Sequence, residues 1–437
     1  MRVSQYLLTI SLVALLIGCK GEDSDPVPGS GDQEAEAFDP QPEETKKKPA
    51  EPHRLPLESE PQLQLSEDEI WDGWIQLFDG QTLAGWQPNN DINWHVSDGV
   101  IEADTGEPGL LLTTVPFADF EFKCDYWMAK DGNSGVFLRC VPEFVTTPPG
   151  PDAVTSKCYE LNICDSHADF KTASLVARAQ PTQTVTGEEV WKTFHVICEG
   201  NQIRVSVDGE DVLHHTDETD GVRLSGLIGL QKNAGLIRFR NVCLKPLGTT
   251  PIFNGEDLTG WRDVPGTKAE FTATDGEIVA KNGPGFLETE AAWSNFVFQF
   301  DAKINGDGLN SGVFFRLIPG TEEAPSHGYE LQLENVFEND DRTQPKDKAG
   351  TGAIFRRTTA RWVVPDDREW FTTTLIANGP HIAAWVNGFQ ITDWVDERDP
   401  DPNPRRGLKT DAGPVSLQAH DDTTDVSFRN LRVAELP

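Results

Sequence analysis

Positive charge is scarce in this chain. Its 437 residues carry 37 Lys and Arg against 71 Asp and Glu, a formal net charge of −34. That balance argues against nucleic acid, whose phosphates need Lys and Arg, and against electrostatic docking on anionic lipid. No segment holds a 3.6-residue apolar period over three turns, so an all-helical fold is excluded. There is no Gly-rich phosphate loop, H-E-x-x-H or G-x-S-x-G motif, which leaves a kinase, a metalloprotease or a serine esterase without support. Cysteine is missing from the whole chain after residue 243. Apart from Cys19, the cysteines are Cys124, Cys140, Cys158, Cys164, Cys198 and Cys243. No C-x-x-C occurs, so in an exported protein these six read as disulfides or buried thiols rather than a zinc site.

What the chain does have is a repeat. Leu77-Phe78-Asp79-Gly80-Gln81-Thr82-Leu83-Ala84-Gly85-Trp86 returns as Ile252-Phe253-Asn254-Gly255-Glu256-Asp257-Leu258-Thr259-Gly260-Trp261. Asn133-Ser134-Gly135-Val136-Phe137-Leu138-Arg139 returns as Asn310-Ser311-Gly312-Val313-Phe314-Phe315-Arg316. Tyr159-Glu160-Leu161 returns as Tyr329-Glu330-Leu331, and Phe239-Arg240-Asn241 as Phe428-Arg429-Asn430. The long, slowly drifting offset means two complete domains, expected over 74–247 and 250–437, with insertions confined to loops. Because the second copy has no cysteine, the fold does not depend on disulfides.

The N-terminus is of a different kind. Residues 1–19 read as a secretory signal, with Arg2, an apolar run from Tyr6 to Ile17, and then Leu16-Ile17-Gly18-Cys19. The apolar run is too short to span a bilayer comfortably. Leu-Ile-Gly-Cys is similar to a bacterial lipobox. It implies a lipid anchor on Cys19, and Lys20 after it favours the outer membrane. Residues 20–73 are acidic, Pro-rich and poor in apolar side chains, so they are expected to be a disordered tether.

Within each repeat short alternating runs dominate. Phe120, Phe122 and Cys124 alternate with Glu121 and Lys123, and Phe296, Phe298 and Phe300 with Val297 and Gln299. Asp98-Gly99, Asp208-Gly209, Asp275-Gly276 and Asn387-Gly388 mark hairpin turns. The pattern predicts two all-β antiparallel sandwiches. The last strand of each repeat is expected beside its first, which would let the domains stand as beads.

Taken together, these motifs resemble the 3-keto-disaccharide hydrolase domain, also described as 3-keto-glucoside 1,2-lyase/3-keto-2-hydroxy-glucal hydratase. The resemblance implies two tandem concanavalin-like jelly rolls that act on carbohydrate. It implies chemistry in which a base takes the acidic C2 proton of a 3-keto sugar, the C1 substituent leaves and water adds back. Such a site needs a base, a cationic group or a divalent metal at the enolate oxygen, and polar groups for the hydroxyls.

Glu330 with Arg316, and Glu160 with Arg139, recur at equivalent places. Each pair reads either as base and oxyanion partner or as a structural ion pair. The resemblance also implies an Asp after the Glu strand, present as Asp165 but Asn335 in the second copy. It implies a His after the late Leu-Gln, present as His420 but Asn233 in the first. Asn133, Asn162 and Gln231 in repeat one, and Asn310, Gln332 and Gln418 in repeat two, are candidate hydroxyl ligands. Trp86 and Trp261 are expected in the cores rather than on sugar. Each repeat lacks one element of the set, so either could be a binding-only copy, and repeat two is the stronger candidate for catalysis. The competing readings are a non-catalytic glycan-binding lipoprotein and an adhesive surface protein.

Overall fold

The computed structural model describes residues 63–146 and 156–437. The signal, Cys19 and most of the expected tether lie outside them; the end of that tether is ordered instead, with Glu67–Trp71 a short helix capped by Ser66 and Leu65 and Ile70 buried. Two β-sandwiches follow one another, each pairing an eight-stranded sheet with a five-stranded one. The eight-stranded sheets share one strand order. In the first it runs Glu210–Thr216, Gln202–Val207, Lys192–Glu199, Phe120–Met128, Ile237–Pro246, Val100–Ala103, His95–Ser97. The five-stranded sheet of repeat two runs Trp261–Asp263, Gly285–Thr289, Ser416–Ala419, Ser311–Phe315, Tyr329–Leu333. This is the antiparallel sandwich that the alternating pattern predicts and the jelly roll that the resemblance implies.

Local sequence explains the strands. Phe120–Met128 alternates buried and half-buried positions along its whole length, because successive side chains point to opposite faces. The hairpin turns are of the primed type. Asp208 and Gly209 have φ of 50° and 84°, and Asn387 and Gly388 have 45° and 78°, as a two-residue turn matched to strand twist requires. Ile75–Gln76 pairs with Ile237–Pro246, and Thr250–Pro251 with Asp425–Glu435, so first and last strands do adjoin.

The six described cysteines are buried and form no disulfide among the described residues, so of the two alternatives the structure has buried thiols, with Cys140 and Cys158 in contact. Cys124 and Cys198 pack inward among the phenylalanines of the first core, as small apolar side chains do. Trp86 and Trp261 lie in the two cores, and their indole N–H groups donate to the carbonyls of Leu77 and Ile252.

The sandwiches do not stand as beads. The opening segment of repeat one lies against the outer face of the large sheet of repeat two. Val297, Ile376, Ala383 and Trp385 of that face join the core cluster of the first sandwich. Trp385 donates from Nε1 to the Gln76 carbonyl at 2.9 Å, and Gln76 N–H donates to the Gly388 carbonyl at 2.8 Å. Gln299 Nε2 donates to the Gly73 carbonyl at 3.0 Å. Phe296–Ile304 is therefore buried on both faces, unlike Phe120–Met128. A buried ion pair fastens the contact: Arg361 Nη2 lies 2.7 Å from Asp79 Oδ2, with both side chains only 6% exposed. Asn254, the counterpart of Asp79, makes the same turn bonds to two backbone amides. Asp79 makes those bonds with Oδ1 and uses its second oxygen on Arg361.

Removing the cation leaves that carboxylate uncompensated. Arg361→Met is expected to cost about 3 kcal/mol in thermal or urea unfolding, with part recovered in the Asp79→Ala/Arg361→Met double variant. Wild-type stability in the single variant would show that the pair does not fasten the sandwiches.

Candidate active site

The five-stranded sheets turn one face inward and one outward, and the outward face carries the polar candidates. In repeat two, Phe315 and Tyr329 pair and stack into the core, with ring centroids 5.4 Å apart. The next pair, Phe314 and Glu330, must then face out. Gly312 pairs with Gln332, and Phe286 with Gln418. Gly312 leaves the space that Glu330 and Gln418 use. A Cβ there would lie 3.2 Å from both Glu330 Oε1 and Gln418 Oε1. Gly135 leaves the same space beside Glu160.

Glu330 is buried, and burial raises its carboxyl above the usual range. The nearby charges of Arg405, His420 and Arg356 work against that rise. Arg405 Nη2 lies 3.3 Å from Glu330 Oε2. A cavity of about 300 Å³ opens beside this pair, lined by Glu330, Arg356, Arg357 and Arg405. A neighbouring cavity of about 540 Å³ shares Phe355 and Arg356 with it and reaches Asn310 and His420. His420 is half exposed, with Nδ1 2.9 Å from Asp421 Oδ2, which leaves Nε2 for a ligand. Gln332 donates to Asn310 Oδ1 at 3.0 Å. Its own Oε1 and that of Gln418 are buried without a hydrogen-bond partner among the described residues. Such acceptors cost free energy unless a ligand or water fills them.

Arg139 and Arg316 are not the partners of these carboxylates. Arg316 is fully buried at the strand end, with φ of 49°. It donates to the carbonyls of Ser294, Gly379 and Lys409 and to Asn295 Oδ1. Arg139 does the same with Ala118, Gly200 and Arg223, and pairs with Asp119 at 2.9 Å. Four of the five N–H donors of each guanidinium are spent in this way and the side chain is fully buried, so neither is placed to meet an enolate. The alternative of a Glu–Arg ion pair between strands fails as well, because the pairs never form.

Asp165 is also placed in the frame rather than in the chemistry. Its oxygens accept from Thr172 Oγ1 at 2.6 Å and from the amides of Gly187 and Glu188. Asn335 repeats the hydroxyl contact with Thr351 at 2.6 Å, so the Asp-to-Asn difference touches a loop anchor.

Repeat one keeps the carboxylate and loses the cations. Burial pushes Glu160 up to about 7, against a lowering hydrogen bond from Gln231. Matching backbone bonds (Val176 N–H to the Glu160 carbonyl, Phe355 N–H to that of Glu330) put Ala177 where repeat two has Arg356. Tyr159 and Tyr329 each donate to an aspartate, Asp217 or Asp396, at 2.7 Å. Each also accepts an amide, from Arg223 or Lys409. Between those anchors repeat one has five residues (218–222) and repeat two has twelve (397–408). Arg405 sits on that longer loop, so repeat one has no equivalent. Asn133 opens its strand there, and Asn162 donates to the Phe170 carbonyl. Leu110, Leu112 and Phe137 make its outer face apolar, packed under Val141 and Phe144. Among the described residues no group of three or more His, Cys, Asp or Glu is placed to hold a metal.

The sequence reading missed Arg405 and Arg356. The length difference between the two copies of the loop was the available signal for Arg405.

A family model described as a 3-keto-alpha-glucoside-1,2-lyase-like domain matches the chain twice, over residues 73–245 and 248–434. A 3-keto-disaccharide hydrolase of Bacteroides thetaiotaomicron is 30% identical over 126 residues, which are 25% of this chain and 43% of the relative. The chain thus spans under half of that relative's length. A solved structure from Parabacteroides distasonis, described as a candidate glycosyl hydrolase, is 22% identical. It covers 42% of this chain and 98% of its own, with a TM-score of 0.36. Carbohydrate-binding module CBM66 of Bacillus subtilis is 18% identical and covers 37% of this chain and 95% of its own, with a TM-score of 0.29.

The raised carboxyl of repeat one has a consequence for stability. A carboxyl near 4.5 when unfolded and about 7 when folded holds its proton longer in the native state. Between those values the native state binds more protons, so stability falls as pH rises through the window. Glu160→Gln removes the ionisable group and is expected to raise the melting temperature relative to wild type at pH 8 but not at pH 4. The difference amounts to at most about 3 kcal/mol. An equal effect at both pH values would refute the shift.

Proposed function

The chain belongs, through both of its repeats, to the 3-keto-alpha-glucoside-1,2-lyase-like domain family, and we propose that repeat two is a catalytic site for 3-keto-glycosides while repeat one binds saccharide. One observation carries this reading. Glu330, Arg405, Arg356 and His420 gather around two adjoining cavities in repeat two, and repeat one has Glu160 without equivalents of these arginines and of the histidine.

The chemistry follows from the charges. Glu330, as carboxylate, takes the C2 proton, which the C3 ketone makes acidic. The C2–H electrons pass toward the ketone, and the enolate oxygen gains negative charge. Arg405, 3.3 Å from Glu330, is the cation available to hold it. The enolate then forms a C1=C2 double bond and expels the C1 oxygen, which takes a proton from His420. Water adds at C1 and a proton returns to C2, so the net change is hydrolysis. Gln418 and Gln332 offer unfilled acceptors to sugar hydroxyls. By the sequence reading the protein is exported and held to a bacterial membrane, with the outer membrane favoured, through lipid on Cys19.

Release of the C1 substituent from a 3-keto-glucoside tests the assignment. Glu330→Gln is expected to lower kcat by about 10²–10⁴-fold with the far-UV circular dichroism of the folded protein unchanged. A loss of equal size in Glu160→Gln would move the chemistry to repeat one, and full turnover in Glu330→Gln would remove it as the base.

The pH profile gives an independent check. Because burial raises the Glu330 carboxyl, the base is still protonated above the ordinary carboxylate range. Turnover is expected to rise with pH through a value above about 4.5, close to the ordinary Glu value. A profile flat down to pH 4 would contradict a buried carboxylate base.

A further inference from the structure

The 300 Å³ cavity beside Glu330 holds more positive charge than its own residues balance. Arg356, Arg357 and Arg405 line it, against the single carboxylate of Glu330. Arg405 pairs with that carboxylate at 3.3 Å. Arg356 and Arg357 form no ion pair among the described residues. Arg356 lies over the Phe355 ring at 5.1 Å, and Arg357 donates only to the carbonyls of Arg405, at 2.8 Å, and Arg356, at 3.4 Å.

Comparison with repeat one shows how this surplus arises. Arg178 occupies the place of Arg357 and pairs with Asp217 at 3.0 Å. In repeat two the equivalent aspartate, Asp396, is taken by Arg398 of the longer loop. Arg398 donates to both its oxygens, at 2.7 and 2.8 Å. The longer loop therefore frees Arg357 from its carboxylate and adds Arg405, while Arg356 replaces Ala177. Guanidiniums brought together without counter-charge repel one another. In a chain of net charge −34 a local cationic excess of this kind runs against the overall balance.

We infer that this cavity is a subsite for an anionic group on the saccharide, a carboxylate or a sulfate ester, held by Arg356 and Arg357. The inference rests on the reading of repeat two as a saccharide site and narrows its substrate class from neutral to acidic glycosides. Guanidinium suits both groups, because its fork of N–H donors matches the planar or tetrahedral oxyanion.

The test is calorimetric titration of the whole chain with glucuronic acid, glucose 6-sulfate, glucose and inorganic sulfate at low and high salt. At least one acidic sugar is expected to bind about tenfold or more tightly than glucose, with the preference shrinking as salt rises. The two acidic sugars separate carboxylate from sulfate. Arg356→Gln, a change at an exposed side chain, is expected to reduce the acidic-to-neutral affinity ratio at least about fivefold. Equal binding of glucose and both acidic sugars would overturn the anionic subsite and leave the saccharide site standing. Sulfate binding as tightly as glucose 6-sulfate would reduce the site to a general anion sink and overturn it too. Binding of none of the sugars would overturn the saccharide reading itself, and this inference with it.

Discussion

Each sandwich is closed at one end by a single buried guanidinium, and the site depends on that closure. Arg316 sits at the end of Ser311–Phe315 and donates to the Ser294, Gly379 and Lys409 carbonyls. These belong to the entry of one large-sheet strand, a hairpin turn of the same sheet and the loop before the small sheet's central strand. One side chain thus bonds three carbonyls from three separate segments and ties them to the strand end. Burial without a paired carboxylate pulls the guanidinium down to about 10, so it remains charged at neutral pH. Its recurrence as Arg139, with the same three kinds of partner, shows a requirement of the fold. It also fixes Lys409, and with Lys409 the end of the loop that carries Arg405.

On this common frame the repeats have diverged in two places. The large sheet of repeat two has exchanged polar outer positions for apolar ones. Val297 stands where Glu121 does, and Ala383 and Trp385 where Arg204 and Ser206 do. That face consequently lies under the opening segment of repeat one. The small sheet of repeat two has gained cations, while that of repeat one has an apolar floor of Leu110, Leu112 and Phe137. Docking and chemistry occupy different sheets, so one could change without disturbing the other.

Much of this was legible in the residues. Alternation in Phe120–Met128 and the four Asp-Gly or Asn-Gly pairs specify strands and turns through local sterics, which a sequence carries directly. The glutamates were identified because both copies retain them. The partner of Glu330 was not, because Arg405 lies 75 residues away on a loop without a motif. Arg316 was misjudged for a related reason. An arginine near a glutamate in a repeated pattern suggests an ion pair, but the left-handed backbone at 316 turns it toward the carbonyls at the strand end.

The sequence by itself determined the duplication, the antiparallel sandwich of each copy, the buried tryptophans and the acidic character of the surface. These follow from period, turn chemistry and composition, which act over a few residues at a time. Only the tertiary structure decided that the described cysteines are buried thiols rather than disulfides, that the sandwiches share a buried face, and that the cations around Glu330 come from Arg356 and Arg405. Those outcomes depend on which loops meet in space, and loop meetings are set by the packing of whole sheets rather than by any local pattern.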